Sequence, residues 1–152
     1  LHRLALSDLQ ERLTEVNRTF TKPAVITDFP EIWQSLLPGA QIVPDGDTLD
    51  LLPGAQDLVV HAMGLHWSND PVGQLVQCRR ALQPDGLFLA VLPGGRSLQE
   101  LRSSLAEAEA RVSAGLSPRV LPMAEIRDLG ALMQRAGFAL PVADSLVQTV
   151  EY

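Results

Sequence analysis

Four successive residues in the stretch Gly64-Leu-His-Trp-Ser-Asn-Asp70 carry an imidazole, an indole, a hydroxyl and a carboxamide. That set suits a small polar ligand with a flat apolar part, which the indole would stack on while the polar groups fix its orientation. His66 is then a candidate base or orienting group; in the plainer alternative its ring satisfies a backbone carbonyl and Trp67 covers the core. Asp70 reads as a helix N-cap, because Pro71 follows it directly. Asp45 and Asp47 are placed to accept hydrogen bonds from the amine or hydroxyl of a nucleoside, although Asp-Gly and Asp-Thr are equally ordinary turn chemistry. Pro93-Gly94-Gly95 either lets a ligand approach the backbone or ends a strand before Ser97 caps a helix, Glu100 completing a capping box.

Other chemistries are excluded by what is missing. The sequence contains neither a phosphate-binding Walker loop nor a G-x-S-x-G elbow, and the isolated His2, His61 and His66 have no metal-ligand spacing. His61 falls within an apolar run, so we expect it in the core, and no metal is expected. Cys78 has no second cysteine to pair with and reads as a structural thiol. A formal charge of −6 has the wrong sign for neutralising phosphates, so nucleic acid is not an expected partner. With 46% hydrophobic and 20% charged residues, the chain is globular rather than disordered. Its longest strongly apolar stretch, Gly86 to Gly95, is interrupted by Pro93 and falls far short of the ~20 residues that span a bilayer. No secretory signal is evident, and a lone thiol makes a cytoplasmic location the expectation.

These residues must be positioned by the elements around them. Leu9, Leu13, Val16 and Phe20 form one apolar stripe and predict a helix over about 6–20. Pro23 to Asp28 predicts a strand, Pro30 to Leu37 a short helix, and Gln41 to Pro44 a second strand. The clearest strand is Asp57-Leu-Val-Val-His-Ala-Met63, whose continuous apolar character suits a central parallel strand covered on both faces. A helix from Pro71 to Leu82 follows, closed by Pro84-Asp85-Gly86, then a strand at 87–92 and a helix carrying Leu98, Leu101, Leu105, Ala108 and Val112. Ile126 to Ala136 predicts a last helix stopped by Gly137. Phe138 to Ala143 and Leu146 to Tyr152 read as an antiparallel hairpin around Asp144-Ser145. The expected architecture is α/β: one domain over 1–152, its helix at 1–22 and a doubly wound, mostly parallel sheet at 23–152 with a C-terminal antiparallel hairpin. Ligands bind such sheets beyond the carboxyl ends of the strands, where Asp28, Asp45, Asp47 and Gly64 to Asp70 lie.

Asp57-Leu-Val-Val60, Leu65-His-Trp-Ser-Asn-Asp-Pro71, Leu82-Gln-Pro-Asp-Gly-Leu-Phe88, Gly94-Gly-Arg-Ser-Leu-Gln-Glu-Leu-Arg102 and Arg135-Ala-Gly-Phe138 together resemble the type 11 S-adenosylmethionine-dependent methyltransferases. The resemblance is to the branch holding the biotin-pathway malonyl methyltransferase and the mitochondrial complex I assembly factor, and it is good over about 55–152. It implies a reduced class I methyltransferase, Rossmann-like fold, with S-adenosylmethionine as cofactor. It also implies methyl transfer to a small acid, thioester or protein side chain, with His66 catalytic and Asp28, Asp45, Asp47, Met63, Gly64 and Trp67 beside the cofactor. The expected partners are that small-molecule or protein substrate and a second copy or an assembly partner.

The departures from the family support an alternative. Its first strand ends in a (D/E)-x-G-x-G-x-G loop, whereas here the sequence reads Thr27-Asp-Phe-Pro-Glu-Ile-Trp33, without glycine. Phe29 and Pro30 add bulk where bare backbone is needed, and Pro30 removes an amide donor. The interval between Asp28 and Gln41 is too short for the family's helix, second strand and second helix. The alternative is therefore a non-catalytic module of this fold that has lost cofactor binding.

Overall fold

The computed structural model describes residues 1–113 and 115–149. The sheet is built around the run from Gln56 to Ala62, which is too apolar to leave either face wet. This strand, β3 (Gln56–Ala62), pairs in parallel with β1 (Pro23–Ile26) on one side and β4 (Leu82–Val91) on the other. A short strand, β2 (Gln41–Val43), adds to the far edge of β1, giving the order β2-β1-β3-β4, parallel throughout. The chain winds outward from β1 to β2 and then returns to the other side, so the switch point lies between β1 and β3. That is where open α/β sheets bind ligands.

Side-chain alternation divides the sheet into two cores. Val25, Leu58 and Val60 face α1 (His2–Glu15) and α2 (Pro30–Trp33), packing with Leu9, Trp33 and Leu36. Ile26, Val59 and Phe88 face α3 (Pro71–Ala81) and α5 (Ile126–Arg135), packing with Leu75, Cys78 and Ala136. Cys78 is the buried structural thiol expected, its pKa pushed up to about 12 by burial. Asp70 caps α3 as expected, its carboxylate accepting the Gly73 N–H at 2.8 Å.

Four local expectations are corrected. Helix α1 begins at His2 and ends before Val16, which turns extended so that Phe20 reaches the sheet core. No separate turn divides α3 from the next strand: β4 starts at Leu82, and Gln83 to Gly86 bulge out between the pairs Gln56↔Leu82 and Leu58↔Leu87. Arg18 donates to the Asp85 carbonyl there at 2.7 Å. The capping box at Ser97 does not form, because the Ser97 hydroxyl donates to the Gly94 carbonyl and Leu98 adopts φ 58°. Helix α4 (Gln99–Val112) accordingly starts one residue later, with Leu98 at the N-cap and no side-chain cap.

The C-terminal hairpin is absent among the described residues, since 138–149 contain no strand and 150–152 lie outside them. Phe138 turns onto Phe88, ring centroids 4.7 Å apart, while Arg12 holds Asp144 at 2.7 Å. Those anchors carry the segment from the α5 face of the sheet to α1 on the other face, and an isolated hairpin is marginal without a sheet to join.

Replacing Asp70 by Ala should cost about 1 kcal/mol of stability through loss of the α3 cap. Urea denaturation measures it, and an unchanged midpoint would count against this N-cap.

Candidate functional site

The register Ile26↔His61 sets the end of β1 beside the end of β3 and brings the loops Thr27–Phe29 and Met63–Trp67 together. β2 adds the third loop, and the Asp45 backbone N–H donates to Asp28 Oδ1 at 3.1 Å. Asp28, Asp45, Met63 and Gly64 therefore share one strand-end face. Helix α3 fastens the Asp45 loop with two glutamines one turn apart. Gln74 Nε2 donates to Asp45 Oδ1 at 2.8 Å and to the Gly46 carbonyl at 2.7 Å. Gln77 Nε2 donates to the Asp47 carbonyl at 2.9 Å, while its Oε1 accepts the Leu49 N–H at 2.8 Å.

Met63 holds φ 62°, an uncommon conformation for a residue with a side chain, and its N–H is tied to the Val91 carbonyl at 2.8 Å. Gly64 is required by close approach: a Cβ there would lie 1.7 Å from Asp45 Oδ2. The carboxylate thus lies directly against the bare backbone at the end of β3. The Asp47 carboxylate is exposed and makes no hydrogen bond or ion pair among the described residues. His66 and Trp67 sit in the 3-10 turn Leu65–Trp67, their ring centroids 5.3 Å apart. Trp67 is 76% exposed and covers no core, whereas His66 is half-buried with Nδ1 unpartnered. Burial lowers the pKa of His66 below the ordinary histidine value, despite the raising influence of Asp45.

His61 is the residue that sequence reasoning set aside as core. It is fully buried, and Nε2 lies 3.1 Å from Gln74 Oε1 and 3.8 Å from Asp45 Oδ1. Desolvation lowers its pKa, against the opposing influences of Asp45, Gln74 and Asp28. His61 and Gln74 thus join the strand ends to α3. The available signal was a polar residue at 74 among the inward-facing Leu75, Cys78 and Ala81.

The end of β1 is closed by large side chains. Trp33 is fully buried and donates Nε1–H to His2 Nδ1 at 3.1 Å, and the His2 ring leans on Phe29 at 50°, centroids 4.3 Å apart. His2, which has no metal-ligand spacing to the other histidines, is the cap on this closure. A shallow, open depression lined by Leu13, Thr14, Val16, Asn17, Arg18 and Thr19 lies at the opposite, amino end of the strands, where Arg18 meets Asp85. Among the described residues no cluster of metal-ligating side chains is present, and no helix is long and apolar enough to cross a membrane.

A parallel sheet wound both ways from a switch point, with its polar residues gathered beyond the strand ends, defines a doubly wound, Rossmann-like α/β protein. The family described as a methyltransferase domain, type 11, matches residues 5–90, and the chain belongs to that family. It is 38% identical to human arginine-hydroxylase NDUFAF5, mitochondrial, over 116 residues, which are 76% of this chain and 34% of that protein. It is 29% identical to the malonyl-[acyl-carrier protein] O-methyltransferase of Gallionella capsiferriformans over 123 residues, 79% of this chain and 40% of that protein. The chain therefore spans little more than a third of the length of these relatives. An S-adenosylmethionine-dependent methyltransferase from Thermotoga maritima superposes with a TM-score of 0.59 at 16% identity, covering 91% of this chain and 73% of that one. The Haloferax volcanii methyltransferase solved with its Trm112 activator gives 0.56 at 14% identity, covering 89% and 71%. The chain is a methyltransferase-like protein with the fold of the S-adenosylmethionine-dependent enzymes.

Gly64→Ala should cost about 1–3 kcal/mol by driving Asp45 off Gln74, and in an Asp45→Ala background it should cost clearly less. A double-mutant cycle by chemical denaturation tests this coupling, and strictly additive losses would refute it. The three histidines have pKa values lowered in the folded state, so protons bind the unfolded chain more readily. Stability should be level above the unfolded histidine value near 6.5 and fall as the pH drops below it. Denaturation midpoints at about pH 7.5 and 5.5 check the sign; equal midpoints, or a slope unchanged by His61→Gln, would contradict it.

Proposed function

We propose that this chain is a methyltransferase-fold module that binds a partner through its strand-end face and has given up S-adenosylmethionine. One observation carries the reading: where the family keeps bare glycine backbone, Trp33 is buried beneath His2 and Phe29 lies against that cap. Side chains that fill the end of β1 do not fit the cofactor's methionine part, which needs close approach to the backbone. Asp45 is likewise engaged, its carboxylate tied to Gln74 and pressed on Gly64. The relatives' names agree with a fold that does not fix the chemistry, one being an O-methyltransferase and another an arginine-hydroxylase. A cytoplasmic location belongs to this proposal too, although the NDUFAF5 relatives are named as mitochondrial.

A second reading, methyl transfer to a small acid, thioester or protein side chain, is favoured by the exposed Trp67 beside half-buried His66. In that reading His66 orients or deprotonates the acceptor. The cofactor would lie against Asp28, Asp45, Asp47, Met63, Gly64 and Trp67, displaced from the blocked end of β1.

Calorimetric titration of the folded chain with S-adenosylmethionine and its demethylated product separates the two. Dissociation constants weaker than about 1 mM are expected. Micromolar binding weakened by Asp47→Ala or Trp67→Ala would sink the module reading and establish the second.

A further inference from the structure

Alone among the described helices, α4 contributes no residue to either core. Its sequence is nevertheless that of a helix with an apolar side. Leu101, Leu105, Ala108 and Val112 follow one another at spacings of four, three and four, which at about 100° per residue gathers them within about 60° of the helix surface. Most of that stripe faces water: Leu101 is 40% exposed and Val112 89%, Ala108 is exposed, and Leu105 is half-buried. The adjoining face is already engaged. Arg102 donates to the Val120 and Leu121 carbonyls at 3.2 and 2.9 Å, and Glu109 accepts from the Ser117 N–H and from Arg119, both at 2.8 Å. The loop at 117–121 thus holds α4 by its polar side and leaves the apolar stripe uncovered.

Charge beside the stripe says what fits it. Glu100 lies in the first turn of α4 and Arg111 in the last, both exposed and eleven residues apart, which sets them on one flank of the stripe. Glu100 forms no ion pair among the described residues, and Arg111 meets only Glu107, one turn back in the same helix. A second α4 laid antiparallel on the stripe brings each Glu100 level with Arg111 of the other copy, whereas a parallel copy would oppose Glu100 to Glu100. The antiparallel arrangement also layers Leu101 on Val112 and Leu105 on the small Ala108, so that knobs meet holes. The helix dipoles then oppose each other, which is the favourable sense.

We propose that the exposed stripe of α4 is a self-association face, on which a second copy of this chain docks its own α4 antiparallel, Glu100 against Arg111 at both ends. A two-fold contact of this kind is closed and stops at the dimer. With 14 residues, α4 is about 21 Å long, and a single helix pair of that length falls short of the ~800 Å² per partner of a stable interface. The dimer is therefore weak and concentration-dependent, with a dissociation constant on the order of 0.1 mM. It holds whether or not the strand-end face takes S-adenosylmethionine.

Sedimentation equilibrium of the folded chain between about 10 µM and 1 mM, a range bracketing that dissociation constant, tests the proposal. The mass should rise from monomer to dimer and no further. Val112→Glu, at an exposed position, should keep the chain monomeric throughout the range. Glu100→Arg and Arg111→Glu should each weaken the dimer at least threefold, because each sets like charges together at both ends of the contact. The double variant Glu100→Arg/Arg111→Glu restores opposite charges and should recover the original dissociation constant within about twofold. That recovery separates a contact between copies from a change within one chain, and circular dichroism confirms that each variant keeps its fold. A chain still monomeric at the top of the range overturns the proposal and leaves the stripe to a different protein. Growth beyond the dimer, a dimer that Val112→Glu leaves intact, or a double variant no tighter than the single ones overturns it equally.

Discussion

The parallel pairing of β1 with β3 is the constraint on which the remainder of the molecule depends. Its register, running from Pro23↔Leu58 to Ile26↔His61, buries both strands on both faces. No polar side chain is tolerated in such a position without a partner. His61 occupies it, on the same face as Val59 and toward α3, and the partner is Gln74. Because Gln74 also holds Asp45 and Gly46, the need to satisfy one histidine in the sheet positions the loop after β2. A core requirement thereby organises the polar end of the molecule.

Much of the fold was legible because it depends on local apolar patterning. The run from Leu58 to Ala62 could only be a central strand, and Asp70 before Pro71 could hardly be anything but a cap. Misreadings fell where one polar group had two uses. Ser97 has the right spacing to Glu100 for a capping box, yet its hydroxyl is spent on the Gly94 carbonyl. Residues 138–149 place apolar runs on either side of Asp144-Ser145 as a hairpin does, but such runs do not supply an edge to pair with, and Phe138 finds Phe88 instead. His2 shows a different limit, since nothing in a terminal histidine signals that it will meet the indole of Trp33.

The site was half legible for the same reason. Asp28, Asp45, Met63 and Gly64 follow strands, so topology alone gathered them. Gln74 and Gln77 escaped notice because glutamine on a helix reads as a wet face. Only tertiary packing turns these two toward the Asp45 loop. The distinction is physical: backbone position follows from sequence period, whereas a side-chain hydrogen bond across 28 or 29 residues of chain does not.

The closed end of β1 and the short connection to β2 have a common cause. Family members place a helix, a strand and a second helix in this interval, and those helices cover the sheet. Here α2 is a single turn of four residues, and Trp33 and Leu36 share the cover of Val25, Leu58 and Val60 with Leu9 of α1 alone among the buried residues of the flanking helices. Large residues close to the strand end are the only way so short a segment can exclude water from that face. A glycine loop at 27–33 would uncover the part of that face that Trp33 fills. The aromatic and aliphatic bulk at 29–36 is therefore the substitute for the missing layer. Restoring glycines alone would remove core cover before it created room for a cofactor.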